Sequence, residues 1–118
     1  MANFKALRQQ RHAQWLKDLR QQLQVVVTRQ AEAIDGSLQI WLFGSRSRGD
    51  WDGYSDTDLL VVSALQKNAQ YLANQLLNEG LAQDVIAISE AQWLALPKSE
   101  SPIWRAIAEQ AVLLLDQR

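Results

Sequence analysis

Trp41 to Val62 reads WLFGSRSRGDWDGYSDTDLLVV. The mostly apolar run Leu38-Gln39-Ile40-Trp41-Leu42-Phe43 stops at Gly44-Ser45, and ten residues later Asp56-Thr57-Asp58 opens a second run, Leu59-Leu60-Val61-Val62. Two apolar runs separated by a polar, Gly-bearing segment predict two strands joined by a loop. Side chains at i and i+2 of a strand share a face, about 6–7 Å apart, so Asp56 and Asp58 are expected to stand side by side. Adjacent carboxylates repel each other and lose hydration, and a cation between them is the usual compensation. Oxygen-only donors favour a hard ion, Mg²⁺ or Mn²⁺. At Gly44 the missing side chain lets the backbone turn, and N–H groups there with Ser45 offer a cradle for an anion. Arg46 and Arg48 bring positive charge beside it. A phosphate cradle facing a paired-carboxylate metal site is the minimum needed to handle a nucleoside triphosphate. Taken singly, Gly-Ser is a common turn pair and Asp-Thr-Asp a common solvated strand edge. Their conjunction with two predicted strands is what points to a site.

Working outward, Phe4, Leu7, Trp15, Leu19, Leu23 and Val26 or Val27 recur at helical spacing among Gln, Arg and Lys. They predict one long amphipathic helix that ends near Asp35-Gly36 and packs its apolar stripe on the sheet. Strand one is expected over Ser37–Phe43, a loop carries Gly49, Asp50, Trp51, Asp52 and Gly53, and strand two covers Asp56–Val62. A helix from about Lys67 to Glu79 is stopped by Gly80, and a third strand covers Asp84–Ile88. Ser89 with Gln92 reads as a capping box for a short helix through Leu96, closed by Pro97. Ser101-Pro102 opens a last helix that leads into Ala111–Leu115, a possible edge strand. The fold class is therefore α/β (α+β): one small domain over residues 1–118, with a short mixed sheet of three to four strands flanked by helices.

With 118 residues, 47% hydrophobic residues and a net charge of −1, the chain is a globular unit without the basic excess of a duplex DNA or RNA binder. It has no cysteine, and its one histidine, His12, is far along the chain from the motif and is expected to be an exposed helix residue. Cys/His zinc sites and Ser-His-Asp or Cys-His catalysis are thereby set aside. Neither G-x-x-x-x-G-K-[ST] nor a helix-opening G-x-G-x-x-G occurs. There is no apolar run of 18 residues and no long apolar segment at the start, so neither a membrane span nor a signal peptide is expected, and the cytoplasm is the default location. The basic residues Lys5, Arg8, Arg11, Lys17 and Arg20 are interleaved with glutamines and read as a solvated helix face. Trp41, Trp93 and Trp104 are expected in the core. Trp51 and Tyr54 either stack on a base or partner, or fold back to pin their loop.

The pattern Gly44-Ser45, ten residues, Asp56-Thr57-Asp58, with Arg46-Ser47-Arg48-Gly49 after the Gly-Ser and Ser55 before the first aspartate, resembles the minimal nucleotidyltransferases of the DNA polymerase β superfamily. The resemblance implies a polymerase β-like core and a third metal carboxylate on a later strand, carried here onto Asp84. It implies that metals on Asp56, Asp58 and Asp84 bind the triphosphate of ATP, that Gly44 and Ser45, with Arg46 and Arg48 beside them, grip phosphates, and that attack on the α-phosphorus releases pyrophosphate. Larger members carry an added acceptor-binding helical domain, for which 118 residues leave no room. Minimal members commonly pair with a small helical HEPN protein, a ribonuclease toxin neutralised by attachment of AMP, and this chain is expected to be the antitoxin half. Two alternatives stand beside it: transfer to a small hydroxyl compound such as an aminoglycoside, and a non-catalytic module that masks its partner by contact.

Overall fold

The computed structural model describes residues 4–34, 36–48 and 56–117, without the side chains of Ser45 and Arg48. Expectations for Gly49, Trp51, Tyr54 and Ser55 therefore lie outside the described residues, as do those for the Ser45 and Arg48 side chains. The elements run α1 (Phe4–Arg29), β1 (Leu38–Phe43), α2 (Ser45–Arg48), β2 (Asp58–Ser63), α3 (Gln66–Asn78), β3 (Asp84–Ser89), α4 (Glu90–Ala95), a 3₁₀ turn (Leu96–Lys98), α5 (Pro102–Gln110) and β4 (Val112–Gln117). They form a small α+β domain around a mixed four-stranded sheet of order β3-β2-β1-β4. β1 is antiparallel to both β2 and β4, whereas β2 and β3 are parallel and joined by the crossover helix α3.

Each strand sends alternate residues to opposite faces. On one face Leu38, Ile40, Leu42, Leu59 and Val61 pack against Leu19, Leu23, Val26 and Val27 of α1 and Leu72 and Leu76 of α3. On the other, Phe43, Leu60, Val62 and Ile88 pack with Trp41, Trp93, Trp104 and Ile107. β2 is covered on both sides, which is why its sequence is a continuous apolar run and not an alternating one. The three tryptophans expected in the core are half-buried at this second face, with Trp41 and Trp93 ring centroids 4.6 Å apart.

Local signals place most boundaries. Ser89 Oγ accepts from the Gln92 N–H at 3.2 Å, while the Gln92 side chain accepts from the Ser89 N–H at 3.0 Å, the capping box read from sequence. Pro97 does not simply end this helix but sits within the 3₁₀ turn that follows it. Ser101 caps α5 ahead of Pro102. α3 ends in a Schellman arrangement, with the Leu81 N–H donating to the Leu76 carbonyl and the Gly80 N–H to the Leu77 carbonyl, both at 3.1 Å. Gly80 takes φ +72° there, with open space where a Cβ would stand. Gly80→Ala should therefore cost about 1–2 kcal/mol through backbone strain alone, measurable as a lower urea midpoint at unchanged slope.

Three expectations are corrected. α1 ends at Arg29, earlier than Asp35-Gly36, and Gln30 to Ala33 continue as turns. Its stripe packs only from Trp15 onward: Phe4 and Leu7 are 76% and 43% exposed because the helix runs past the sheet they would have covered. β4 extends to Gln117, beyond Leu115, and is an edge strand as expected.

Candidate active site

Three chain segments meet at one end of the sheet. Because β1 is antiparallel to β2, its last residue, Phe43, pairs with Asp58 and delivers Gly44 beside the head of β2. Because β3 is parallel to β2, Asp84 lies in register with Asp58, on backbones about 4.8 Å apart. Two residues further on, Leu60 and Ile86 belong to the cluster on the α4/α5 side, so both carboxylates leave the sheet on that same face. Asp58 and Asp84 thus face the same side from neighbouring strands.

Asp56 stands just outside β2, which starts at Asp58 and not, as expected, at Asp56. The cause is Thr57, which is buried and bound to the segment before β3: its N–H donates to Gln83 Oε1 at 2.6 Å, and its carbonyl accepts from the Gln83 and Asp84 N–H groups at 3.0 and 3.4 Å. Asp56 is thus held at the rim, exposed, while Asp58 is half-buried and Asp84 exposed. Burial first, then the negative charge of Asp84, then that of Asp56, push the Asp58 carboxyl above its ordinary pKa. All three sequence-assigned carboxylates thus act on one spot electrostatically. Among the described residues, no group of three or more His, Cys, Asp or Glu side chains forms a ready-made metal cage. The donor chemistry still fits Mg²⁺ or Mn²⁺, since such ions are commonly held by one or two carboxylates with the remaining positions filled by water and substrate phosphate.

Gly44 carries two constraints. Its φ is +79°, and a Cβ on it would lie 2.7 Å from Asp58 Oδ2. The Asp58 carboxylate occupies the space that any side chain would need. The Gly44 carbonyl starts the short helix α2, accepting from the Ser47 N–H at 3.2 Å and Ser47 Oγ at 2.6 Å. The chain after Gly44 is thus a helical turn where sequence suggested a loop. The first residues of this turn, Ser45 and Arg46, follow Gly44 directly at the head of α2.

Arg46 is half-buried, its guanidinium carbon 4.6 Å from the centre of the Trp15 ring on α1. His12 stacks on the same tryptophan, with centroids 6.0 Å apart and planes 20° from parallel. Burial and the Arg46 charge hold the His12 pKa below the usual imidazole value. The expectation that His12 is exposed and remote from the motif is therefore corrected: α1 crosses beside α2 and brings it close. The five basic residues Lys5, Arg8, Arg11, Lys17 and Arg20 are exposed, as expected of a solvated face.

Sequence reasoning missed Trp15, His12 and Gln83 as neighbours of the site. Trp15 carried only the signal of an apolar helical stripe, and Gln83 carried none; both reach the site through tertiary packing. Comparison with curated proteins and with solved structures gave no match. Residues 16–100 match the model of the family described as nucleotidyltransferase domain.

Proposed function

Since the chain belongs to the nucleotidyltransferase domain family, we propose that it is a divalent-metal-dependent transferase that moves AMP from ATP to a hydroxyl on a partner protein. The observation that carries this reading is the in-register pair Asp58 and Asp84 at the sheet end, with Gly44 pressed against Asp58. A carboxylate raised by burial and by the charges of its acidic neighbours is costly unless a cation is bound, and such sites cluster at functional centres. A bound Mg²⁺ or Mn²⁺ supplies charge neutralisation of the triphosphate and of the oxygens between which phosphorus is exchanged.

In this reading Asp56, Asp58 and Asp84 hold the metal, Gly44 and Ser45 take outer phosphates on backbone N–H groups, and Arg46 and Arg48 add positive charge. Asp84, exposed at the rim, accepts the proton of the acceptor hydroxyl. The acceptor oxygen forms a new bond to the α-phosphorus, the bond from that phosphorus to the bridging oxygen breaks, and pyrophosphate leaves with the electron pair. Base choice follows family habit, which favours ATP.

The acceptor is a small helical HEPN-type toxin, modified and so neutralised, with the chain acting in the cytoplasm as the antitoxin. What supports this is the resemblance to minimal nucleotidyltransferases and the composition, which does not suit duplex nucleic acid. Among the described residues no helix is long and apolar enough to cross a membrane. The test is to incubate the purified chain with Mg²⁺, ATP and a HEPN-type protein, then read the intact mass of each. Mass gains of whole AMP units on the helical protein support the proposal. Transfer only to an aminoglycoside-like compound, or inhibition of the toxin without any mass gain, overturns it in favour of a small-molecule transferase or a masking module.

A further inference from the structure

We infer that Trp15 is a positioning residue for Arg46, a platform on α1 that fixes the guanidinium where it can meet the phosphates of a bound nucleoside triphosphate; this rests on the nucleotidyltransferase reading. Arg46 is the second residue of α2 and lies one position beyond Ser45. An arginine in a four-residue helix has a long, rotamer-rich side chain that would cost entropy to order on substrate binding. Here that ordering is already present, because the guanidinium lies 4.6 Å from the Trp15 ring centre. Arginine suits such a contact, since its guanidinium is planar, packs on aromatic faces and matches phosphate geometry with its N–H fork. Lysine offers neither the flat face nor the fork.

Trp15 is itself fixed on several sides. His12 stacks on it from the preceding turn of α1, and the indole packs against the main core cluster. It also forms one wall of a cavity of about 330 Å³, shared with Asp18, Gln22, Thr57 and Gln83. Thr57 is the residue between Asp56 and Asp58, and Gln83 is bonded to it. One indole therefore lies against Arg46 and lines a cavity that Thr57 also lines. The family match begins at Leu16, so Trp15 lies just outside the matched segment.

The experiment is a double-substitution cycle read as Kd for Mg²⁺–ATP by calorimetry, without acceptor. Trp15→Leu should weaken binding roughly 5- to 10-fold, and Trp15→Tyr, which keeps an aromatic face, should lose less than about 3-fold. In an Arg46→Ala background Trp15→Leu should add no further loss, since the residue through which it acts is gone. Equal losses in both backgrounds would overturn the inference and leave Trp15 a packing residue only. In parallel, the His12 ring resonances followed with pH should titrate at a higher value in Arg46→Ala than in the parent chain; no movement would show that Arg46 does not rest on this cluster and would likewise overturn it. Binding of no nucleoside triphosphate by the parent chain, with the His12 shift still present, would strike down the transferase reading and this role with it.

Discussion

Asp58→Asn is expected to abolish transfer while leaving the fold more stable at neutral pH. In the proposed reading Asp58 holds the metal, and its loss removes several kcal/mol of charge stabilisation, which corresponds to roughly 10³-fold or more in kcat. The stability effect has the opposite sign. The folded-state pKa of Asp58 lies above the ordinary 3.8, because of burial and the charges of Asp84 and Asp56. Between 3.8 and that raised value the folded chain binds more protons than the unfolded one, so its stability falls as pH rises through this window and stays lowered above it. Asparagine has the same shape and no charge, and it escapes that loss. Thermal melts of both proteins should coincide at acid pH and separate above the window, with the variant melting higher. Mg²⁺ should raise the Tm of the parent chain and leave that of Asp58→Asn nearly unchanged. A variant that melts lower than the parent at neutral pH without metal would contradict the view of Asp58 as a strained charge awaiting a cation.

Gly44→Ala is the second large effect, and it differs from Gly80→Ala in kind. Both positions have positive φ, so both carry about 1–2 kcal/mol of strain when a Cβ is added. Only at Gly44 does the new methyl meet a carboxylate of the proposed metal site, 2.7 Å from Asp58 Oδ2. Asp58 is short, half-buried and fixed by its place in the β-ladder, so its carboxylate must rotate away from the site. A displacement on the order of 1 Å at a reacting centre costs roughly 10²-fold in rate. The expected result is a modest fall in Tm, about 3–10 °C, with a loss of activity far beyond it. Retained activity in Gly44→Ala at the lowered Tm would show that the glycine serves the turn alone.

Much of this arrangement was legible because it is written in local signals. The run ending at Phe43, the glycine after it and the aspartates heading β2 and β3 are each set by a few neighbouring residues, as are the Ser89 capping box and the Gly80 helix stop. What the sequence could not show depends on partners far along the chain. The β2 boundary moved from Asp56 to Asp58 because Gln83 takes the Thr57 N–H, 26 residues away. Trp15 spaces like any core residue of an amphipathic helix, and nothing in its neighbours announces Arg46. His12 was misplaced for the same reason: distance in sequence says little once a 26-residue helix lies alongside the site. The overhang of Phe4 and Leu7 was equally invisible, since helical periodicity reports a stripe but not the length of sheet available to cover it.

The sheet order β3-β2-β1-β4 also carries a history of assembly. Gly44, Asp58 and Asp84 belong to one stretch of the chain, in which the pairings of β1 with β2 and of β2 with β3 join strands adjacent in sequence. β4 arrives from the far end of the chain to pair with β1, the longest closure in the sheet. Loop closure of that span costs more entropy, and the pairing that needs it closes later. The half of the sheet that holds the carboxylates can therefore assemble before β4 docks on the far side of β1.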